Sequence, residues 1–231
     1  MSCLRGSFCD SLFERGNIVI IEDRVRDFIN SFDKEDDIFI CELEKRARED
    51  YVPIIRQETK NLLRFFLKLK QPRRILEVGT AIGFSSIYMS QYIAEDAKIV
   101  TIENYEKRMK EARENIKLAK KEECITLLEG DAKDVLKTLE EPFDFIFMDA
   151  AKGQYLNFLP DIMRLLKPGG ILISDNVLQE GDVMESRYAI KRRNHTIHHR
   201  MREYMYQITH MEELETLILP TGDGATVSIR L

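Results

Sequence analysis

The chain has 231 residues, 44% of them hydrophobic and 32% charged, with a formal net charge of −5. This suits one α/β domain with a sizeable core; no stretch approaches the roughly 18 apolar residues of a membrane span, and the amino-terminal segment lacks the apolar run of a secretion signal. The acidic balance gives no global reason to expect nucleic acid, and four cysteines without paired spacing (3, 9, 41 and 124) point to free thiols in a cytoplasmic protein.

Residues 1–17 show no clear period and read as an extension with no assigned function. Residues 18–231 read as a single domain: a helical segment over 18–72, then an α/β core over 73–231. Val25, Phe28, Ile29 and Phe32 recur at helix spacing, and further helices are expected over about 37–49 and 54–69, the last stopped by Pro72. From Arg73 strands and helices alternate. Strands are expected at 75–78, 98–103, 125–129, 143–149 and 171–175, and helices at 84–93, 105–120, 132–139 and 155–166. Residues 167–170 (KPGG) read as a helix stop and tight turn. A helix over 187–208 and two closing strands near 214–219 and 224–230 complete the chain. The short link between those strands predicts an antiparallel edge pair on a mostly parallel sheet.

Two strand ends carry the chemistry. The runs FDFIFMD (143–149) and GILISDN (170–176) hand over to oxygen-bearing side chains where ligands bind in open α/β sheets. If the two strands pair, Asp149, Asp175 and Asn176 converge, and three such oxygens suit Mg²⁺ or another hard divalent cation. The 77–83 loop, with Glu77 and Gly79 at its start, allows close backbone approach to a ligand. Glu103 ends the second strand 20 positions after Gly83, where an acid meets ribose hydroxyls. Asp131 and Ala132 follow the third strand, though Asp131 also has the placement of a plain helix N-cap. The loop is poor in glycine and its surroundings are acidic. That suits S-adenosylmethionine, a sulfonium without phosphate, better than a dinucleotide.

With these residues assembled, the chain resembles the cation-dependent class I O-methyltransferases, the group that includes caffeoyl-CoA and catechol methyltransferases. The resemblance runs from about Asp23 to Leu231 and rests on ILEVGTAIGFSS (75–86), Glu103, GDA (130–132), FDFIFMDAAKGQY (143–155), LLKPGGILISDNVL (165–178) and GDG (222–224). Within the group it is most similar to bacterial tRNA 5-hydroxyuridine methyltransferases, on VPII (52–55), DAAKGQY (149–155) and Arg193-Asn194. The resemblance implies a Rossmann-like seven-stranded sheet with extra amino-terminal helices. It implies an S-adenosylmethionine site at Ile55, Ser85, Glu103, Asp131, Ala132 and Asp149, and a cation on Asp149, Asp175 and Asn176. Lys152 is then either the base or a charge that lowers the acceptor's pKa. A homodimer is expected from the resemblance and from the apolar early helices.

The segment 186–202 reverses the overall charge: it holds six Lys or Arg and no acid. Lys191, Arg192, Arg193, Asn194 and Arg200 are the candidate contacts to a tRNA substrate, against the plainer reading of a solvated helix face. Tyr188, Tyr204 and Tyr206 suit either base stacking or core packing. His195, His198 and His199 invite a zinc site but lack a clear fourth ligand.

Overall fold

The computed structural model describes residues 21–231; the expected extension at 1–17, with Cys3 and Cys9, lies outside them. Helices α1 (Asp23–Asn30), α2 (Ile38–Glu49) and α3 (Gln57–Lys70) precede the core. The core then alternates β1 (Arg74–Val78), α4 (Phe84–Met89), β2 (Lys98–Glu103), α5 (Glu106–Leu118), β3 (Ile125–Glu129), α6 (Ala132–Thr138), β4 (Phe143–Met148), α7 (Tyr155–Leu165) and β5 (Leu166–Ser174). Helix α8 (His195–His210) leads to β6 (Leu214–Leu219) and β7 (Ala225–Arg230). The strands form one sheet in the order β3-β2-β1-β4-β5-β7-β6. Pairings from β3 to β5 are parallel; β7 is antiparallel to both β5 and β6. The expected sheet and edge pair are both present.

Both faces of the sheet are covered, so its central strands are nearly continuous apolar runs. The period of two still sorts the side chains. Ile75, Phe145, Phe147, Ile171 and Ile173 pack against α2, α3 and α4. Leu76, Val78, Ile146, Met148 and Leu172 pack against α6, α7 and α8. Helix α1 buries no residue; Val25, Phe28, Ile29 and Phe32 are exposed, as are Phe65 and Leu69 of α3.

Three elements differ from expectation. Helix α4 ends at Met89 and not near 93. Strand β5 begins at Leu166, before the expected turn, because Leu166 pairs with Phe143 and the ladder resumes at Ile171 opposite Phe145. Residues 167–170 therefore bulge out opposite Asp144. The expected helix over 187–208 starts only at His195, after a 3-10 turn over Arg192–Asn194. Consecutive basic residues disfavour the first turn of a helix, where the macrodipole is positive.

The bulge leaves Asp144 free to staple three segments. Its carboxylate accepts from the backbone N–H of Arg73 (3.0 Å) and Arg74 (2.9 Å) and from Lys167 Nζ (2.8 Å). Burial pushes this carboxyl up, but the Lys167 ammonium and the two N–H groups outweigh burial and hold it below its ordinary value. Asp144→Ala should therefore cost about 1–3 kcal/mol in urea unfolding at pH 7. A depressed carboxyl stabilises the fold above its unfolded pKa and ceases to do so as pH falls through its folded one. Variant and wild type should converge below about pH 4, the ordinary carboxylate range; equal stability at pH 7 would refute the staple.

Candidate active site

A cavity of about 920 Å³ opens at the carboxyl ends of β1 to β5. It straddles β1 and β4, where the strand order reverses and open α/β sheets form their crevice. Ile55, Gly79, Ser85, Glu103, Asp131, Ala132 and Asp149 all line it, as do Lys152, Asp175, Asn176 and Arg200.

On the β1–β3 side, Glu103 organises the wall. Its Oε2 accepts from Ala81 N–H (2.8 Å), and its Oε1 accepts from the N–H groups of Asn104 (3.0 Å) and Tyr105 (2.9 Å). The carboxylate thus fastens the 79–83 loop to the end of β2. Asp131 caps α6 by accepting from Lys133 N–H at 2.9 Å, so it is both an N-cap and a cavity residue. Gly79 has φ +104°, and a Cβ there would lie 2.1 Å from the Asp149 carbonyl oxygen. The close approach made by this glycine is to the neighbouring strand end.

Glu77 departs from its expected place. It does not line the cavity but lies fully buried beneath it, its Oε2 accepting from Ser86 Oγ and Thr101 Oγ1. Its position in β1 turns it toward the α4 face, away from the ligand side. Burial raises its carboxyl to about 7 against the lowering effect of the surrounding hydroxyls.

On the β4–β5 side, Met148 and Ser174 are register partners, so Asp149 and Asp175 follow at neighbouring strand ends. Asn176 Nδ2 donates to Asp149 Oδ1 at 3.0 Å, and Thr59 Oγ1 to Asp175 Oδ2 at 3.1 Å. Asn176 has φ +59°, a left-handed turn that Asn tolerates better than most residues, and this folds its amide back beside Asp149. Tyr155 ties the strands from below: its buried hydroxyl shares its one proton between the carbonyls of Met148 (3.1 Å) and Asp175 (3.0 Å). Burial, then the Asp149 charge, pushes Asp175 up to about 7; burial, then the Glu77 charge, pushes Asp149 up to about 6. Two carboxylates and an amide oxygen form a hard donor set, and their repulsion is what a divalent cation would relieve. The fit to such an ion is good. Among the described residues no group of three or more His, Cys, Asp or Glu is arranged for a metal, and this set has two acids.

Lys152 Nζ donates to Asp223 Oδ2 at 3.1 Å. Sequence reasoning noted the 222–224 motif but gave Asp223 no role, and it missed Thr59 and Tyr155. The motif alone was a signal for Asp223; Thr59 had none.

The basic segment divides. Lys191, Arg192 and Arg193 are exposed. Asn194 Nδ2 donates to Asp182 Oδ2 (2.8 Å), and Arg200 Nη1 to the Gly153 carbonyl (2.9 Å) at the cavity wall. Tyr204 is buried, bonded to Ser174 Oγ, which leaves only the exposed Tyr188 and Tyr206 for stacking on a base. His198 is buried against the Glu185 carbonyl and His199 faces Glu203, so the three histidines do not assemble a zinc site.

The O-methyltransferase family model matches residues 30–231. The chain belongs to the O-methyltransferase family. It is 31% identical over 183 residues to caffeoyl-CoA O-methyltransferase 2 of Populus trichocarpa, covering 73% of this chain and 71% of that one. It is 34% identical over 127 residues to a catechol O-methyltransferase of Niastella koreensis, covering 53% of this chain and 58% of the relative. The chain thus spans little more than half the length of that relative. An O-methyltransferase from Bacillus cereus, crystallised in complex with SAH, superimposes with a TM-score of 0.80 at 25% identity, over 90% of this chain and 97% of that one. No helix among the described residues of this family member is long and apolar enough to cross a membrane.

Raised carboxyl pKa values mean that the ion-free fold keeps protons the unfolded chain has released. Stability attributable to the pair therefore falls as pH climbs from about 4 to 7. Asp175→Asn removes one acid and its repulsion, so in EDTA it should melt higher than wild type at pH 8, with the difference shrinking toward pH 4. A variant less stable than wild type across that range would contradict this reading.

Proposed function

We propose that this family member is an S-adenosylmethionine-dependent O-methyltransferase acting on one of two neighbouring acceptor oxygens, with 5-hydroxyuridine in tRNA as the acceptor. The convergence of Asp149, Asp175 and Asn176 beside a nucleoside-sized pocket carries the reading. Ile55, Gly79, Ser85, Glu103, Asp131 and Ala132 would receive the methyl donor, a sulfonium without phosphate that suits their acidic, glycine-poor wall. Asp149, Asp175 and Asn176 would hold Mg²⁺ or a similar ion. That ion, when bound, supplies orientation to two vicinal oxygens and stabilises the deprotonated one. Lys152, paired with Asp223, offers its positive charge to the acceptor oxygen. The acceptor O–H gives its proton to water in the open cavity, the oxygen forms a bond to the methyl carbon, and the carbon–sulfur bond breaks with its electron pair left on a neutral thioether. Positioning in line supplies much of the rate.

The exposed run Lys191, Arg192 and Arg193, just ahead of the helix that carries Arg200, supports tRNA as the acceptor's carrier. A small catechol is the second reading, favoured by the names of the catechol and caffeoyl-CoA relatives. A reducing cytoplasm suits either, since Cys41 and Cys124 are free. Incubation with isotope-labelled methyl donor should label hypomodified tRNA, lose that label in EDTA and recover it with Mg²⁺. Label confined to catechol would select the second reading, and label that persists undiminished in EDTA would remove the cation from the mechanism.

The protein is also proposed to form a homodimer through the exposed apolar stripe of α1 and α3. Sedimentation should give a dimer for wild type and a monomer for the Phe28→Glu, Phe65→Glu double variant, with circular dichroism unchanged. A wild-type monomer at micromolar concentration would refute this.

A further inference from the structure

Lys152 and the turn that follows Asn176 are tied to one carboxylate. Asp223 is 3% exposed. Its Oδ2 accepts from Lys152 Nζ at 3.1 Å, its Oδ1 from the backbone N–H of Glu180, and its carbonyl from Leu178 N–H at 3.0 Å. Glu180 lies in a run of three left-handed residues: Gln179 (φ 49°), Glu180 (φ 52°) and Gly181 (φ 91°). For residues with a Cβ that conformation costs about 1–2 kcal/mol each, so the turn needs partners to persist. Gly224 lets the two turns meet; a Cβ there would fall 2.2 Å from Leu178 Cγ.

Lysine is a flexible point charge on a four-carbon stem. At a cavity wall it holds one direction only if something holds it. Among the described residues, Asp223 is the hydrogen-bonding partner of Lys152 Nζ. The same carboxylate is immobilised from its other oxygen by the 178–181 turn.

We infer that Asp223 is a positioning residue for methyl transfer: it aims the Lys152 ammonium at the acceptor oxygen beside Asp149. The inference rests on the acceptor-facing role of Lys152 given above. The substitution Asp223→Asn separates the two duties of the carboxylate. Its Oδ1 still accepts from Glu180 N–H, while its amide nitrogen cannot accept from Lys152.

The test compares wild type with Asp223→Asn, Lys152→Met and the double variant, all as full chains, with catechol and hypomodified tRNA as acceptors. Misplacing a reacting group by about 1 Å costs on the order of 100-fold. Asp223→Asn should therefore lower kcat by roughly 10- to 100-fold while KM for S-adenosylmethionine stays within about 2-fold. In the Lys152→Met background the same change should have no further effect, because residues acting as one unit are non-additive. Two readouts are independent of turnover. The Lys152 Nζ resonance should be resolved by ¹⁵N NMR in wild type and averaged to that of a free lysine in Asp223→Asn. Amide exchange at Glu180, whose N–H donates to the Asp223 side chain, should stay protected in Asp223→Asn but not in Asp223→Ala. Independent, multiplying losses in the double variant, or an unaltered Lys152 resonance, would overturn the inference. A wild type that transfers no methyl group would overturn the proposed activity alone, and the NMR and exchange results would still decide whether Asp223 holds Lys152.

Discussion

Two acidic groups set side by side at adjacent strand ends, Asp175 buried and Asp149 half-buried, are the constraint around which this molecule is arranged. Parallel pairing of β4 and β5 forces Asp149 and Asp175 into neighbouring positions, and the packed faces above and below leave little water to screen them. Such an arrangement persists only when surrounding groups hold it. Thr59 reaches in from α3, Asn176 turns back through a left-handed residue, and Tyr155 pins both strand ends from beneath. The amino-terminal helices thus contribute a hydrogen bond to the candidate chemistry as well as an outer layer.

The opposite wall of the cavity is built differently. There a single carboxylate, Glu103, is satisfied by three backbone N–H groups and sets the shape of a loop rather than storing repulsion. One half of the cavity is therefore preorganised by neutralised charge and the other by charge left in tension. A cationic donor and a hard metal ion ask for just these two environments, and the proposed function rests on that match.

Much of this was legible in the sequence because it depends on local pattern. Short apolar runs that end in acids located the strand tips, and pairing two of them in parallel was enough to bring Asp149, Asp175 and Asn176 together. What could not be read depended on contacts between distant segments. The Lys152–Asp223 pair spans 71 residues and requires β7 to lie antiparallel beside β5. Tyr204 suits either base stacking or core packing in the sequence, and only the turn of α8 onto Tyr155 decides for the core. Glu77 illustrates a subtler failure: adjacency to a binding loop outweighed the alternation of β1, which points that residue into the opposite layer. The late basic helix starts only at His195 because the positive field at a helix start opposes Lys191, Arg192 and Arg193.

Gly79 ties the two walls into one piece. The Asp149 carbonyl occupies the volume that any side chain at position 79 would need. No flexible group lies between these backbones to absorb a displacement. A shift of the β4 tip to accommodate an ion must be passed directly to the loop that frames the nucleoside half, and the reverse holds as well. The two compartments are meshed like gear teeth, so neither can be reshaped by substitution without re-cutting the other.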